Sequence, residues 1–267
     1  MVVDERRSRT PSAAEVRRVA QPATTTGRDV EHWTAALYLR RLSPHVTRLL
    51  LRSGAAANTV TVVMIATGLL AGAALLVGGI VGALLAFVLG QLQMLWDCCD
   101  GEVARWREQQ SALGVFLDRL GHYGTELALC LCLGVRVLEL PAGGAIGPHG
   151  ATLGALLAAL VLLNRGLNDM VHASRAVAGL PPLGGNRGSR GEPTGVRLAR
   201  LRRAARFVPV HRAFHSVELT ILVLLAAVAD AVTRQPVTGW LLAALVPAAA
   251  VTIVGHVTAI VSSQRLR

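Results

Sequence analysis

Long apolar segments, separated by short polar turns, run through most of this sequence. No Asp, Glu, Lys or Arg occurs between Ser53 and Trp96. A helix needs about 20 apolar residues to cross the hydrocarbon core of a membrane, so this stretch is long enough for two crossings. Gly and Pro residues separate further apolar segments of similar length. The pattern predicts six membrane-spanning helices, over residues 56–76, 80–98, 112–136, 150–172, 214–233 and 238–262.

The N-terminal part of the chain follows a different pattern. Residues 1–28 are rich in Arg, Ala, Thr and Ser, which predicts a disordered basic leader. In residues 29–52, apolar residues near helical spacing are followed by arginines, which predicts an amphipathic helix at the membrane interface. Residues 53–267 are expected to form the membrane domain. The predicted fold class is therefore an all-α polytopic membrane protein with six transmembrane helices plus an N-terminal interfacial helix.

Composition excludes the common soluble classes. The 267 residues are 52% hydrophobic and 16% charged, whereas soluble domains are about 25% charged. All 27 basic residues are Arg, and the net charge is +11. These arginines lie between the apolar segments and not in a folded basic domain, so nucleic acid is not expected as a partner. Membrane lipids are the expected partners.

The distribution of arginine also predicts the orientation of the chain in the cell membrane. Basic loops face the cytoplasm in most membrane proteins. The arginine-rich segments 1–52, 99–111 and 173–213 all fall on one side when six crossings are threaded, together with the C-terminus. Both termini are therefore expected in the cytoplasm. Within this side, the arginine spacing in residues 196–207 predicts a basic surface helix that contacts anionic lipid headgroups or grips a substrate phosphate.

Charged side chains inside spans are costly and mark function, and here they concentrate at the end of the second span. At about 100° per residue, Asp97, Asp100, Gly101 and Ala104 share one face of that helix. Two carboxylates one turn apart thus lie above a strip with almost no side chain. The backbone along this strip is open to the close approach of a ligand.

The third span opens with a matching polar stripe. Gly114, Asp118, His122 and Glu126 are spaced four residues apart and lie on one helical face. If the two stripes face each other, three carboxylates and an imidazole converge near the cytoplasmic membrane surface. An alternative is that these acids cap helices and pair with the nearby residues Arg105, Arg107 and Arg119.

Clustered carboxylates repel each other unless a cation lies among them. Hard oxygen ligands suit Mg²⁺ or Mn²⁺, and two such ions commonly stabilise displacement at phosphorus. We therefore expect Mg²⁺ or Mn²⁺, bound as two ions.

These two segments resemble the signature of the CDP-alcohol phosphotransferases. The order is Asp97-x₂-Asp100-Gly101-x₂-Ala104-Arg105, eight further residues, then Gly114-x₃-Asp118-x₃-His122, and it departs from the family only at the last position. The start of the first span, Ala57-Asn58-x₂-Thr61, is similar to the family's Pro-Asn-x₂-Thr. The resemblance extends over roughly residues 50–262.

The resemblance implies an integral membrane enzyme of phospholipid biosynthesis. Such enzymes transfer a phosphatidyl or similar group from a CDP-alcohol, here expected to be CDP-diacylglycerol, to an acceptor alcohol and release CMP. Homodimers are usual in the family. Carried over by position, Asp97, Asp100 and Asp118 would bind the metal ions. The expected substrate-binding positions are Gly101, Ala104, Arg105 and Gly114 at the CDP site, and Asn58 and Thr61 near the nucleotide or diphosphate.

His122 replaces the aspartate that the family uses as a metal ligand and as the catalytic base. Imidazole can perform both tasks near neutral pH, so His122 and Asp118 are the catalytic candidates, and Glu126 could orient the ring. Three alternatives stay open: a base located elsewhere, a catalytically weakened paralogue, and a non-enzymatic transporter or scaffold that reuses the fold.

The acceptor alcohol is expected at the end of the fourth span. Arg165 or Arg175 could bind a phosphate on that alcohol. The alternative is a solvated helix end near the cytoplasm. The identity of the acceptor is not readable from the sequence.

Overall fold

The computed structural model describes residues 10–21, 38–139, 141–181, 213–263 and 266. All regular structure in these ranges is helical, which confirms the all-α class. A 3₁₀ helix, Pro141–His149, precedes the sixth of the α-helices. The α-helices are α1 (Ala13–Ala20), α2 (Arg40–Ser53), α3 (Ala57–Ala74), α4 (Gly79–Trp106), α5 (Ala112–Glu139), α6 (Gly150–Val177), α7 (Ser216–Thr233) and α8 (Val237–Val261).

Five helical segments in the described ranges are long and apolar enough to cross a membrane. They are α3, α4, Ala145–Val177, α7 and α8. The third predicted span corresponds to α5, which has 28 residues and is long enough, but it carries Asp118, Arg119, Glu126 and Arg136. The chain is thus a multi-pass membrane protein, and α5, which is more polar than the five apolar segments, carries part of the predicted site.

The predictions for the N-terminal part need one correction. Residues 13–20 lie in the leader predicted to be disordered, yet they form α1, so that prediction is wrong for this stretch. The helix begins with a capping box, in which the Ser12 hydroxyl accepts from the backbone of Glu15 and the Glu15 carboxylate accepts from that of Ser12. The predicted interfacial helix 29–52 is present as α2 from Arg40, and the predicted helix 196–207 lies outside the described residues.

The chain divides into two compact units, and the first comprises Met1–Leu69 and Val88–Gly124. In this unit α1 packs against α2. Their contact forms an apolar core with α3 and α4. A residue in the left-handed conformation, Gly54 with φ of 78°, ends α2 and turns the chain toward α3. The core is built from Val16, Ala20, Leu51, Ala57, Val103 and Trp106.

The second unit comprises Leu70–Phe87 and Thr125–Arg267. Here α8 packs against α6 and α7. Helices α5 and α6 approach each other closely, because a Cβ on Gly154 would lie only 2.7 Å from the Cα of Gly134. Glycine at such a crossing lets two backbones touch, as is common in membrane helices.

A buried arginine closes the turn between α3 and α4 within the second unit. The guanidinium of Arg136 donates to the carbonyls of Val77 at 2.9 Å and Gly79 at 2.6 Å, and to that of Leu75 at 3.3 Å. The last carbonyls of a helix lack backbone partners. Arg136 therefore stabilises the end of α3 and the following turn.

Candidate active site

Three of the predicted site residues come together in the first unit. Asp97 lies near the end of α4, and Asp118 and His122 lie one turn apart near the start of α5. The Nε2 atom of His122 is 3.0 Å from Oδ1 of Asp97 and 3.6 Å from Oδ1 of Asp118. The predicted convergence of the two helical stripes is therefore confirmed for these residues.

The three side chains fit a divalent cation. One ligand atom from each lies within 4.8 Å of the other two. Neighbouring ligands about 2.1 Å from an octahedral ion are themselves about 3 Å apart, which matches the separation of His122 and Asp97. All three side chains are partly exposed, with Asp118 the most open at 41%. The donor set and its access from solvent both suit a bound metal ion.

The fourth predicted metal ligand, Asp100, is more deeply placed. The residue is 8% exposed, and its carboxylate accepts a hydrogen bond of 2.7 Å from the Thr61 hydroxyl. The charges of Asp97 and Asp118 both repel that of Asp100, so the three acids share one electrostatic environment. Thr61, predicted to contact the nucleotide or diphosphate, is buried, and its hydroxyl bonds Asp100. Its contact with a substrate stays a prediction.

Two further candidates on different elements face each other. A Cβ on Gly114 would lie 3.4 Å from Oδ1 of Asn58. The Asn58 amide therefore lies over the bare backbone at the start of α5. This contact brings together two residues that the sequence predicted to be substrate-binding from separate motifs.

The strip expected to receive the CDP group on α4 is partly covered by the chain itself. The guanidinium of Arg105 lies on Gly101, where a Cβ would be 3.0 Å from one of its terminal nitrogens. Arg105 Nε also donates to the carbonyl of Ala20, at 2.6 Å. Ala104 packs against the apolar core of the first unit. Arg105 is thus held against Gly101 and the end of α1, and its role at a CDP site stays a prediction.

The two arginines predicted at the acceptor site both have protein partners in the second unit. Arg165 donates to both carboxylate oxygens of Glu126 and contacts Nδ1 of His215. Arg175 is buried and donates to the carbonyl of Pro181 at 2.6 Å. These contacts show a structural use for each guanidinium, whereas their binding of an acceptor phosphate stays a prediction.

The residue that holds the His122 ring differs from the prediction. The sequence suggested Glu126 for this role. Asp97 is the carboxylate that bonds His122, and Glu126 pairs with Arg165 and His215. Helical spacing placed Asp118 and Glu126 equally close to His122, so the spacing alone could not identify a partner on another helix.

A buried polar cluster around Glu102 went unnoticed in the sequence. Glu102 is fully buried, and its carboxylate accepts from Ser43 at 2.5 Å, Thr47 at 2.6 Å and Gln21 at 2.7 Å. Its partners are distant along the chain, so no local pattern reveals them. The available signal was the capping box Ser12-x₂-Glu15, which marks the start of α1 and so the approach of Gln21.

Comparison with known proteins agrees with this geometry. The family model described as CDP-alcohol phosphatidyltransferase matches residues 55–176, and no curated protein matches the chain. The matched segment contains Asp97, Asp118 and His122 together with the Asn58 and Gly114 pair. Members of this family are transferases of substituted phosphate groups. This multi-pass membrane protein therefore carries a CDP-alcohol phosphatidyltransferase domain at residues 55–176, and its candidate active site lies inside that matched segment.

Proposed function

We propose that this protein transfers a phosphatidyl group from CDP-diacylglycerol to an acceptor alcohol and releases CMP, as a step of phospholipid biosynthesis. The convergence of Asp97, Asp118 and His122 within the family domain carries the proposal. Asp97 lies near the end of a helix apolar enough to cross a membrane. A donor anchored in the bilayer by its acyl chains can reach a site at that depth.

In the proposed reaction, the hydroxyl oxygen of the acceptor forms a bond to the phosphorus that carries the lipid. The bond between that phosphorus and the CMP oxygen breaks, and CMP leaves with its electron pair. His122 accepts the proton of the attacking hydroxyl. In the tautomer whose Nε2–H donates to Asp97, the lone pair of Nδ1 is the proton acceptor, and Asp97 orients the ring.

The metal ligands of the proposal are Asp97 and Asp118, with Asp100 held beside them by Thr61. His122 would join them through Nε2 only in the tautomer that carries its proton on Nδ1, and so not while Nδ1 acts as the base. We propose Mg²⁺ or Mn²⁺ as the resident ions, two in number, because carboxylate oxygens dominate the donor set. A bound divalent ion would neutralise the diphosphate and the departing CMP.

The remaining candidates have substrate-binding roles in the proposal. Arg105 contributes a positive charge to the diphosphate, and the Asn58 and Gly114 pair contacts the nucleotide. The acceptor alcohol carries a phosphate if either Arg165 or Arg175 binds it. The arginine-rich segments support cytoplasmic termini and an active site on the cytoplasmic side of the cell membrane. A homodimer is proposed because homodimers are usual in the family.

The decisive experiment measures CMP release by purified protein in detergent. CDP-diacylglycerol is supplied with Mg²⁺ or Mn²⁺, and phosphorylated and unphosphorylated polyols and serine are screened as acceptors. We expect metal-dependent release that chelation abolishes and that Asp97→Asn and Asp118→Asn reduce by at least about a hundredfold. Glu108→Gln, which removes an exposed acid outside the cluster, is the matched control and should retain full activity.

A second candidate function follows from His122 itself, since its ring replaces a carboxylate and removes one negative charge from the site. A protein that has lost catalysis would keep the helices and act as a transporter or scaffold. Folded protein that binds neither Mn²⁺ nor CDP and releases no CMP with any acceptor would favour this alternative.

A further inference from the structure

The polar cluster around Glu102 has no part in the proposed chemistry, yet it lies in the last turns of α4, between the signature residues Asp100 and Arg105. Glu102 is fully buried and accepts three hydrogen bonds, from Ser43, Thr47 and Gln21. A buried carboxylate is tolerated only when its oxygens are satisfied. The cluster therefore joins α2 and the residue after α1 to the helix that carries Asp97, Asp100 and Arg105.

Gln21 also satisfies a backbone carbonyl of α2 that has no backbone donor. Pro44 lies inside α2 and has no N–H to donate to the carbonyl of Arg40, four residues earlier. The Gln21 side-chain amide donates to that carbonyl at 3.0 Å, to Ser43 Oγ at 3.3 Å and to Glu102 at 2.7 Å. One amide thus replaces a missing backbone donor of α2 and satisfies the buried acid of α4.

The helix before Gln21 is docked by its apolar face. Val16 and Ala20 are fully buried, in contact with the core that includes Val103 and Trp106 of α4. A helix of 8 residues is too short to be stable alone. Its presence depends on this packing and on the capping box at Ser12.

The end of α1 reaches a signature residue directly. The carbonyl of Ala20, the last residue of α1, accepts from Arg105 Nε at 2.6 Å. Terminal helix carbonyls lack backbone partners and carry negative partial charge, so they attract a guanidinium. This contact holds the Arg105 guanidinium on Gly101, at the strip where the family signature places the CDP group.

We propose that α1 and Gln21, here called the N-terminal clamp, form part of the nucleotide site by fixing the position of Arg105. Gln21 is a positioning residue that acts through Glu102 and Ala20, and it touches no substrate. The inference rests on the proposed function, in which Arg105 binds the diphosphate. Loss of the clamp releases Arg105 and weakens binding of the CDP-alcohol, whereas the metal centre and the acceptor site keep their affinities.

The test is a double-mutant cycle on the full-length protein, with Gln21→Met, Arg105→Ala and the double variant. Gln21→Met conserves volume and removes the amide. We expect it to raise KM for CDP-diacylglycerol about tenfold, as for a lost hydrogen bond to a charged group, with KM for the acceptor unchanged. In the Arg105→Ala background the same change should have less than about a twofold effect, because coupled residues are not additive.

Matched measurements separate positioning from mere stability. Gln235→Met alters an exposed glutamine in the turn before α8 and should leave both KM values unchanged. A purely structural role for Gln21 would lower Tm and the yield of active protein but not raise KM for the nucleotide substrate. Gln21→Asn, a smaller change, replaces Gln21→Met if that variant does not fold, with the same direction expected.

The outcomes also separate this inference from the proposed function. If the protein is active but Gln21→Met leaves KM for CDP-diacylglycerol unchanged, the inference about the N-terminal clamp is wrong and the proposed function stands. The same holds if the effects of Gln21→Met and Arg105→Ala on this KM are independent of each other. If the wild type releases no CMP, the affinity of the same variants for CDP, measured by equilibrium dialysis, decides the inference alone. A protein that neither releases CMP nor binds CDP overturns both.

Discussion

His122 is the residue on which the chemistry of the site turns. Its Nε2 atom lies within 3.6 Å of one oxygen from each of two carboxylates, on two helices. An imidazole between two acids is well suited to hold a proton or a metal ion. It brings one fewer negative charge than the aspartate of the family signature, so a second cation should bind less tightly here than in relatives with the acid.

Substitution of His122 tests its role in proton transfer. His122→Ala should abolish CMP release, because no group remains to accept the hydroxyl proton, whereas His122→Asp should retain part of it by restoring a carboxylate. The initial rate of CMP release at saturating substrates measures both. His45→Ala, at an exposed position on α2, serves as the control. An active His122→Ala variant would remove this residue from the mechanism.

The hydrogen bond between Thr61 and Asp100 gives a second prediction at this scale. Thr61→Val keeps the shape of the side chain and removes the donor. A buried carboxylate that loses a donor destabilises the fold by about 1.5–3 kcal/mol. Thermal unfolding should show this loss for Thr61→Val and little change for Thr61→Ser. Equal stability of the valine and serine variants would show that Asp100 does not depend on this hydroxyl.

At the level of elements, single polar groups connect helices that apolar contacts alone would leave free to slide. Within the second unit, Glu126 of α5 pairs with Arg165 of α6 and with His215, the residue before α7. His256 of α8 likewise bonds Asn164 of α6, at 2.9 Å. Such interhelical hydrogen bonds define which helical faces meet in an apolar surrounding.

The pair of Glu126 and Arg165 should be strongly non-additive. Removing one partner leaves a buried charge, so Arg165→Leu should destabilise the protein by about 3–5 kcal/mol. The double variant Glu126→Leu/Arg165→Leu removes both charges and should recover much of the loss. Thermal unfolding in detergent measures all three. Full additivity of the single effects would mean that the two groups do not form a functional ion pair.

The glycine contact between α5 and α6 makes a prediction with an internal control. Gly154→Ala should destabilise the protein, since its Cβ would lie 2.7 Å from the Cα of Gly134. Gly255→Ala, where a Cβ meets nothing within 4 Å, should be neutral or stabilising by up to about 1 kcal/mol. A difference in Tm of the opposite sign would contradict the close approach of these helices.

At the scale of the whole molecule, the features that depend only on the helical repeat of the sequence could be predicted. The convergence of Asp118 and His122 on Asp97 and the apolar lengths of five of the six predicted spans follow from helix geometry, and the structure confirms both. Partners chosen by tertiary contact were not predictable. Glu102 accepts hydrogen bonds from residues that lie 55 to 81 positions earlier in the chain. Helix α1 is stable because Val16 and Ala20 pack into the apolar core of the first unit.

The same distinction explains the outcome for the charged residues of the site. Asp97 and His122 were expected to converge, because each lies on a polar stripe of its own helix. Arg105, by contrast, bonds the carbonyl of Ala20, and Arg165 bonds Glu126. A guanidinium in an apolar surrounding binds whichever acceptor is closest, and sequence spacing does not reveal which one that is.

The most direct test of the account is the affinity of the purified protein for Mn²⁺. Titration of the wild type should show saturable binding, and Asp97→Asn, Asp118→Asn and His122→Ala should each weaken it by at least about tenfold, while Glu108→Gln leaves it unchanged. Binding that is equally tight in all five proteins, or that is absent from the folded wild type, would contradict a cation site formed by Asp97, Asp118 and His122.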